Sequence, residues 1–92
     1  MGTILHGYNY SETMKGLQAM YERLKSLRED NDLRQVDVAN HLNITQKAYS
    51  KYERGDRNIP TEALIKLSEL YNTSVDYLLN CTDVKKPYPK KK

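Results

Sequence analysis

One cysteine, Cys81, is the entire thiol content of this 92-residue chain. A single thiol excludes an intrachain disulfide and a cysteine-rich zinc site, and it suits a reducing cytoplasm. Cys81 itself is expected to be a small, partly buried hydrophobe. No apolar run approaches the roughly 20 residues that a bilayer-spanning helix needs. No basic flank followed by an apolar stretch marks a signal peptide. Chemistry is equally thin. There is no glycine-rich phosphate loop, no paired nucleophile and base, and no metal-ligand cluster. His6 and His41 stand far apart, without Cys or Asp partners at ligand spacing. These absences argue against an enzyme, a cofactor and a membrane protein.

What is present is an ordinary soluble balance, with 29% charged and 38% hydrophobic residues. The length fits one domain with a small but sufficient core. The formal net charge is +3, yet Lys85, Lys86, Lys90, Lys91 and Lys92 supply five positive charges, so residues 1–84 alone carry −2. A nucleic-acid-binding face must therefore come from where charges sit, not from their sum. The lysines can add non-specific phosphate affinity.

Residues 1–12 lack a periodic pattern and are read as a flexible arm. Residues 13–82 form the domain, and residues 83–92, with their prolines and lysines, a basic disordered tail. Ser11 can cap a first helix in which Met14, Leu17, Tyr21 and Leu24 recur at helical spacing. Gly16 can delay its start to near Leu17, and Asn31-Asp32 should end it. A second helix fits Gln35 to Leu42, broken by Asn43. A third fits Gln46 to Arg54, capped by Thr45 and ended by Gly55. A fourth spans about Thr61 to Tyr71, with Asn72 as its C-cap. A short fifth runs from Ser74 to Leu79, with Thr73 and Asp76 as a capping pair. No strand candidate of useful length appears.

The informative stretch is QVDVANHLNITQKAYSKYERG, residues 35–55. It holds two helices joined by a very short turn. Ala39 lies where the helices cross, so its side chain must be small. Asn43 occupies a turn that needs a left-handed residue. Ile44 plugs the angle between the helices, while Val38, Leu42, Tyr49 and Tyr52 face the core. The remaining face of the third helix is polar: Gln46, Lys47, Ser50, Lys51 and Arg54. Glutamine can pair with an adenine edge, and lysine can donate to guanine. Gln35, at the start of the second helix, can offer its amide and the helix-start N–H groups to a phosphate. Arg34, Thr45, Arg54 and Arg57 are further candidates for phosphate contact.

These residues, with LKSLRED before them and IPTEALIKLSELYNTSVDYLLN after, resemble the Cro/cI-type helix-turn-helix domain of phage repressors and the Xre family of bacterial regulators. The resemblance covers about Tyr21 to Thr82. It implies an all-α fold, a compact five-helix bundle of the lambda-repressor-like DNA-binding type. It implies an ion pair between Arg28 and Glu53. It places base-reading positions at Gln46, Lys47, Ser50 and Lys51, and a helix-start phosphate contact at Gln35. Some positions depart from the family pattern. Asp32 replaces a frequent glycine, Arg34 a frequent Ser or Thr cap, Asn43 the common turn glycine, and Tyr49 a branched aliphatic, so the Tyr49 hydroxyl needs a partner.

The function this implies is sequence-specific binding of double-stranded DNA by a transcriptional regulator, expected to be a repressor. Its target would be a pseudo-palindromic operator and its state a homodimer, in the bacterial cytoplasm and on the nucleoid when bound. Ile59, Pro60 and the region of Tyr77 are candidates for the dimer contact, with Met14, Leu17 and Met20 as a competing surface. The alternative is an antitoxin or adaptor that uses the same fold to bind a protein partner.

Overall fold

The structure, a computed structural model, describes residues 21–89. The arm at 1–12, the Ser11 cap, Gly16 and the Met14, Leu17 and Met20 surface lie outside the described residues. Five helices follow one another, with no strand among the described residues. Helix α1 occupies residues 21–30 of this range. It is followed by α2 (Gln35–Leu42), α3 (Gln46–Arg54), α4 (Thr61–Leu70) and α5 (Val75–Leu78).

The helix starts follow from side-chain oxygens that replace missing intrahelical acceptors. Thr45 Oγ1 accepts from the Ala48 N–H at 3.1 Å, and Ser74 Oγ accepts from the Tyr77 N–H at 3.0 Å. Arg34 has no acceptor to offer α2. Asp37, three residues on, accepts the Arg34 backbone N–H at 2.8 Å and also its guanidinium. Half a capping box thus stands in for the absent Ser or Thr.

The helix ends share one device. Asp32, Asn43, Gly55, Asn72 and Asn80 all have positive φ, between 52° and 77°. After each, the next N–H reaches back five residues to a carbonyl: Leu33 to Arg28, Ile44 to Ala39, Asp56 to Lys51, Thr73 to Ser68 and Cys81 to Asp76. This is the Schellman arrangement. Four of the five positions are Asn or Asp, which visit the left-handed region more readily than other non-glycine residues.

The core is built from Tyr21, Leu24 and Leu27 of α1, Val38, Ala39 and Leu42 of α2, Tyr49 and Tyr52 of α3, Ile59, Leu67, Tyr71 and Leu78. Helix α2 packs on α3 and also reaches α4, while α5 packs on α4. Ala39 is fully buried, as its place at the helix crossing requires. Tyr49 and Tyr52 meet edge to face, with ring centroids 6.4 Å apart. The Tyr21 hydroxyl accepts the buried Ile59 N–H at 3.1 Å, which ties α1 to the loop before α4.

Two local readings change. Thr73 does not cap α5. Ser74 does, because the helix begins at Val75 and Ser74 holds the position before it, while the Thr73 hydroxyl donates to the Lys85 carbonyl. Cys81, which follows the left-handed turn at Asn80, is exposed. Residues 83–89 have no regular secondary structure. Contacts nevertheless run between this segment and the bundle: Asp83 pairs with Arg23 at 2.7 Å, and the Tyr88 hydroxyl donates to Asp76. Arg23 lies 4.0 Å above the Tyr77 ring and also donates to the Tyr77 and Thr82 carbonyls.

Enlarging the helix crossing should be costly. Ala39→Leu is expected to lower stability by about 1–3 kcal/mol, read as a lower urea midpoint. An unchanged midpoint would show that the crossing has room to spare.

Candidate nucleic-acid interface

Short connections set the relation between α2 and α3. Only Asn43, Ile44 and Thr45 separate Leu42 from Gln46. With Asn43 left-handed, at φ 61° and ψ 42°, the chain turns within this link and α3 leaves at an angle to α2. Ile44 packs, partly buried, against the core between them. Tyr49 and Tyr52 turn inward, which commits the opposite side of α3 to the outside.

That outer side carries Gln46, Lys47 and Arg54, all exposed, with Ser50 and Lys51 half-buried. The first turn of α3 has no acidic residue. Its one acid, Glu53, is turned inward, with a side chain only 4% exposed. Among the described residues, no ion pair uses Lys47, Lys51 or Arg57. The arginines differ. Arg34 pairs with Asp37 at 2.9 Å, and Arg54 pairs with Asp56 at 2.8 Å. Arg54 also donates to Ser50 Oγ at 3.2 Å, so Ser50 is held by its neighbour one turn on. Thr45, whose hydroxyl caps α3, and Arg57 are exposed. Asp37 and Asp56 are functional neighbours that residue patterns could have revealed, since each lies two or three positions from its arginine.

Beneath this face lies a polar junction. Arg28 Nε donates to Glu53 Oε2 at 2.6 Å, and its Nη2 donates to Oε1 at 3.1 Å. Arg28 Nη1 donates to the Leu33 carbonyl at 3.0 Å. Gln35 Nε2 donates to Glu53 Oε1 at 3.1 Å. Burial alone would raise the Glu53 carboxyl, but the donors Arg28 and Gln35 outweigh it and hold the group below its ordinary range, while the Tyr49 hydroxyl makes no hydrogen bond among the described residues. The Tyr49 hydroxyl, fully buried beside this carboxylate, is pushed well up, first by burial and then by Glu53. Burial likewise pushes Tyr71 up to about 12.

Ile59, a candidate for contact between copies, spends its side chain in the chain's own core. Pro60 beside it is exposed, and Tyr77 is half-buried under Arg23. His41 is exposed. No group of three His, Cys, Asp or Glu that could hold a metal occurs among the described residues. No helix among them is long and apolar enough to cross a membrane.

Comparison with known proteins bears on the same stretch. The model of a family described as helix-turn-helix matches residues 24–78. The chain is 45% identical over 65 residues to the HTH-type transcriptional regulator ImmR of Bacillus subtilis, covering 71% of this chain and 51% of that protein. It is 29% identical over 58 residues to the cryptic phage CTXphi transcriptional repressor RstR of Vibrio cholerae, covering 63% and 52%. It is 32% identical over 53 residues to the antitoxin PezA of Streptococcus pneumoniae, covering 58% and 34%. The chain thus spans about half the length of the first two relatives. No solved structure matches it significantly.

The Glu53 carboxyl makes stability depend on acid. A carboxyl held low in the folded state stabilises fully above the unfolded value, about 4.3 for glutamate. That contribution is lost as pH falls through the lower folded value. The urea midpoint should therefore decline as pH drops below about 5, and Glu53→Gln should flatten part of that decline. A slope identical to the parent's would remove Glu53 as its source.

Proposed function

The chain belongs to the helix-turn-helix family of the Cro/cI type, and on that premise we propose that it is a transcriptional regulator that binds duplex DNA sequence-specifically through α3. One observation carries this reading. The exposed face of α3 offers Gln46, Lys47, Ser50 and Lys51 with no competing carboxylate, because Glu53 is withdrawn into the interior. A negatively charged duplex meets donors on this face and the charges of Lys47 and Lys51, unpaired among the described residues.

Gln46 and Lys47 begin the helix, the part that such motifs push deepest into a major groove. They, Ser50 and Lys51 are the proposed base readers. Arg34, Gln35, Thr45, Arg54 and Arg57 are the proposed phosphate contacts, which set orientation without reading sequence. One domain of this size makes few base contacts, so a homodimer on a pseudo-palindromic operator supplies the missing specificity. Repression follows where such an operator overlaps a promoter, and the similarity to a phage repressor favours that sign. The similarity to an antitoxin favours a second reading, in which the same fold also engages a protein partner. The two readings are compatible.

Selection of bound fragments from random duplex DNA should yield a defined site. Lys47→Ala and Lys51→Ala should each weaken binding to it by about 1–3 kcal/mol and relax preference at one position. Exchanging the five tail lysines for glutamine should instead weaken all sequences alike and flatten the salt dependence. If both helix variants bind the selected site as tightly as the parent, α3 is not the reading element.

A further inference from the structure

We propose that Glu53 is a positioning residue for DNA binding: it holds the Gln35 side-chain amide so that its remaining N–H faces the backbone phosphate. This rests on the DNA-binding reading above. Gln35, half-buried, is the first residue of α2, where the first N–H groups lack intrahelical acceptors. A free glutamine in such a place can present either its NH2 or its carbonyl to an approaching phosphate, and the carbonyl repels it. Glu53 removes that ambiguity. An ionised carboxylate only accepts hydrogen bonds, so the group facing it across 3.1 Å is the amide NH2. One of the two amide hydrogens goes to Glu53 Oε1. The other projects away from that oxygen and is left for a ligand.

Glu53 is a firm anchor for this purpose. Arg28 grips both of its oxygens, and the same guanidinium holds the Leu33 carbonyl in the loop that leads into α2. The carboxylate therefore cannot swing with Gln35, so the amide must conform to it. Glu53 also belongs to the helix that carries Gln46 and Lys47. One side chain on the base-reading helix thereby fixes the donor at the start of the neighbouring helix. Holding the glutamine in one rotamer before DNA arrives removes an ordering cost from the binding step.

A double-mutant cycle tests this. Arg28→Met with Glu53→Met replaces the buried pair by apolar residues of similar volume, an exchange that often preserves folding, and it deprives Gln35 of its acceptor. Affinity for the selected DNA site is measured with this pair in the parent and in a Gln35→Ala background, alongside circular dichroism and urea midpoints. The expected result is roughly a threefold to tenfold loss when Gln35 is present, and no further loss when it is alanine. Equal losses in both backgrounds, or none in either, overturn the proposal. If the methionine pair unfolds, Arg28→Leu with Glu53→Leu enters the same cycle with the same expectation, since leucine likewise offers Gln35 no acceptor. Lys47→Ala serves as the reference. If it weakens binding while the cycle is additive, only the role of Glu53 fails. If the parent selects no DNA at all, the DNA-binding reading fails and this proposal with it.

Discussion

Three segments of the chain converge on the Glu53 carboxylate: the end of α1 through Arg28, the start of α2 through Gln35, and α3, which bears Glu53 itself. Removing two charges from water is expensive, and such pairs are weak sources of net stability. Their strength lies in what happens when they are half-made. Losing one partner strands a buried charge, at a cost of about 3–5 kcal/mol. An arrangement of the three helices that separates Arg28 from Glu53 therefore carries that penalty. The apolar core holds the helices together. This junction ties α1 and α2 to α3 at one point.

The same withdrawal of Glu53 shapes the surface above it. The outward charges fall into two groups. Lys47 and Lys51 stand without ion-pair partners among the described residues, whereas Arg34 and Arg54 are each braced by an aspartate close in sequence. Exposed pairs of this kind contribute little to stability. They orient a guanidinium while leaving it inexpensive to surrender to a stronger anion. The unbraced lysines add charge without a fixed geometry, and the braced arginines contribute geometry at a partly neutralised charge.

Most of the fold was legible because its signals are local. The bounds of α2 and α3 follow from Asn43, Thr45 and Gly55, each of which acts within a few residues of itself. The inward set of Val38, Ala39, Leu42, Tyr49 and Tyr52 follows from helical spacing. What escaped depends on partners distant in the chain. Thr73 and Ser74 are equally good caps by type. The choice falls to Ser74 because the Thr73 N–H still closes the preceding helix on Ser68, and its hydroxyl finds the carbonyl of Lys85, twelve residues on. Arg23 carries no local mark of its contacts with Tyr77, Thr82 and Asp83. The outward face of α3 was readable as a stripe of polar residues. The bond from Gln35 to Glu53 was not, since it spans eighteen positions and only the folded angle between the helices creates it.

The left-handed helix ends carry one more consequence, and it concerns the denatured chain. Glycine at such positions adopts positive φ freely, but it also gives the unfolded polypeptide its widest range of states to forfeit on folding. With Asp32, Asn43, Asn72 and Asn80 in four of five such places, this chain accepts some backbone strain in exchange for a narrower unfolded ensemble. A domain with so small a core has little burial to spend on conformational freedom. Its economy lies partly in how little freedom its loops possess before they fold.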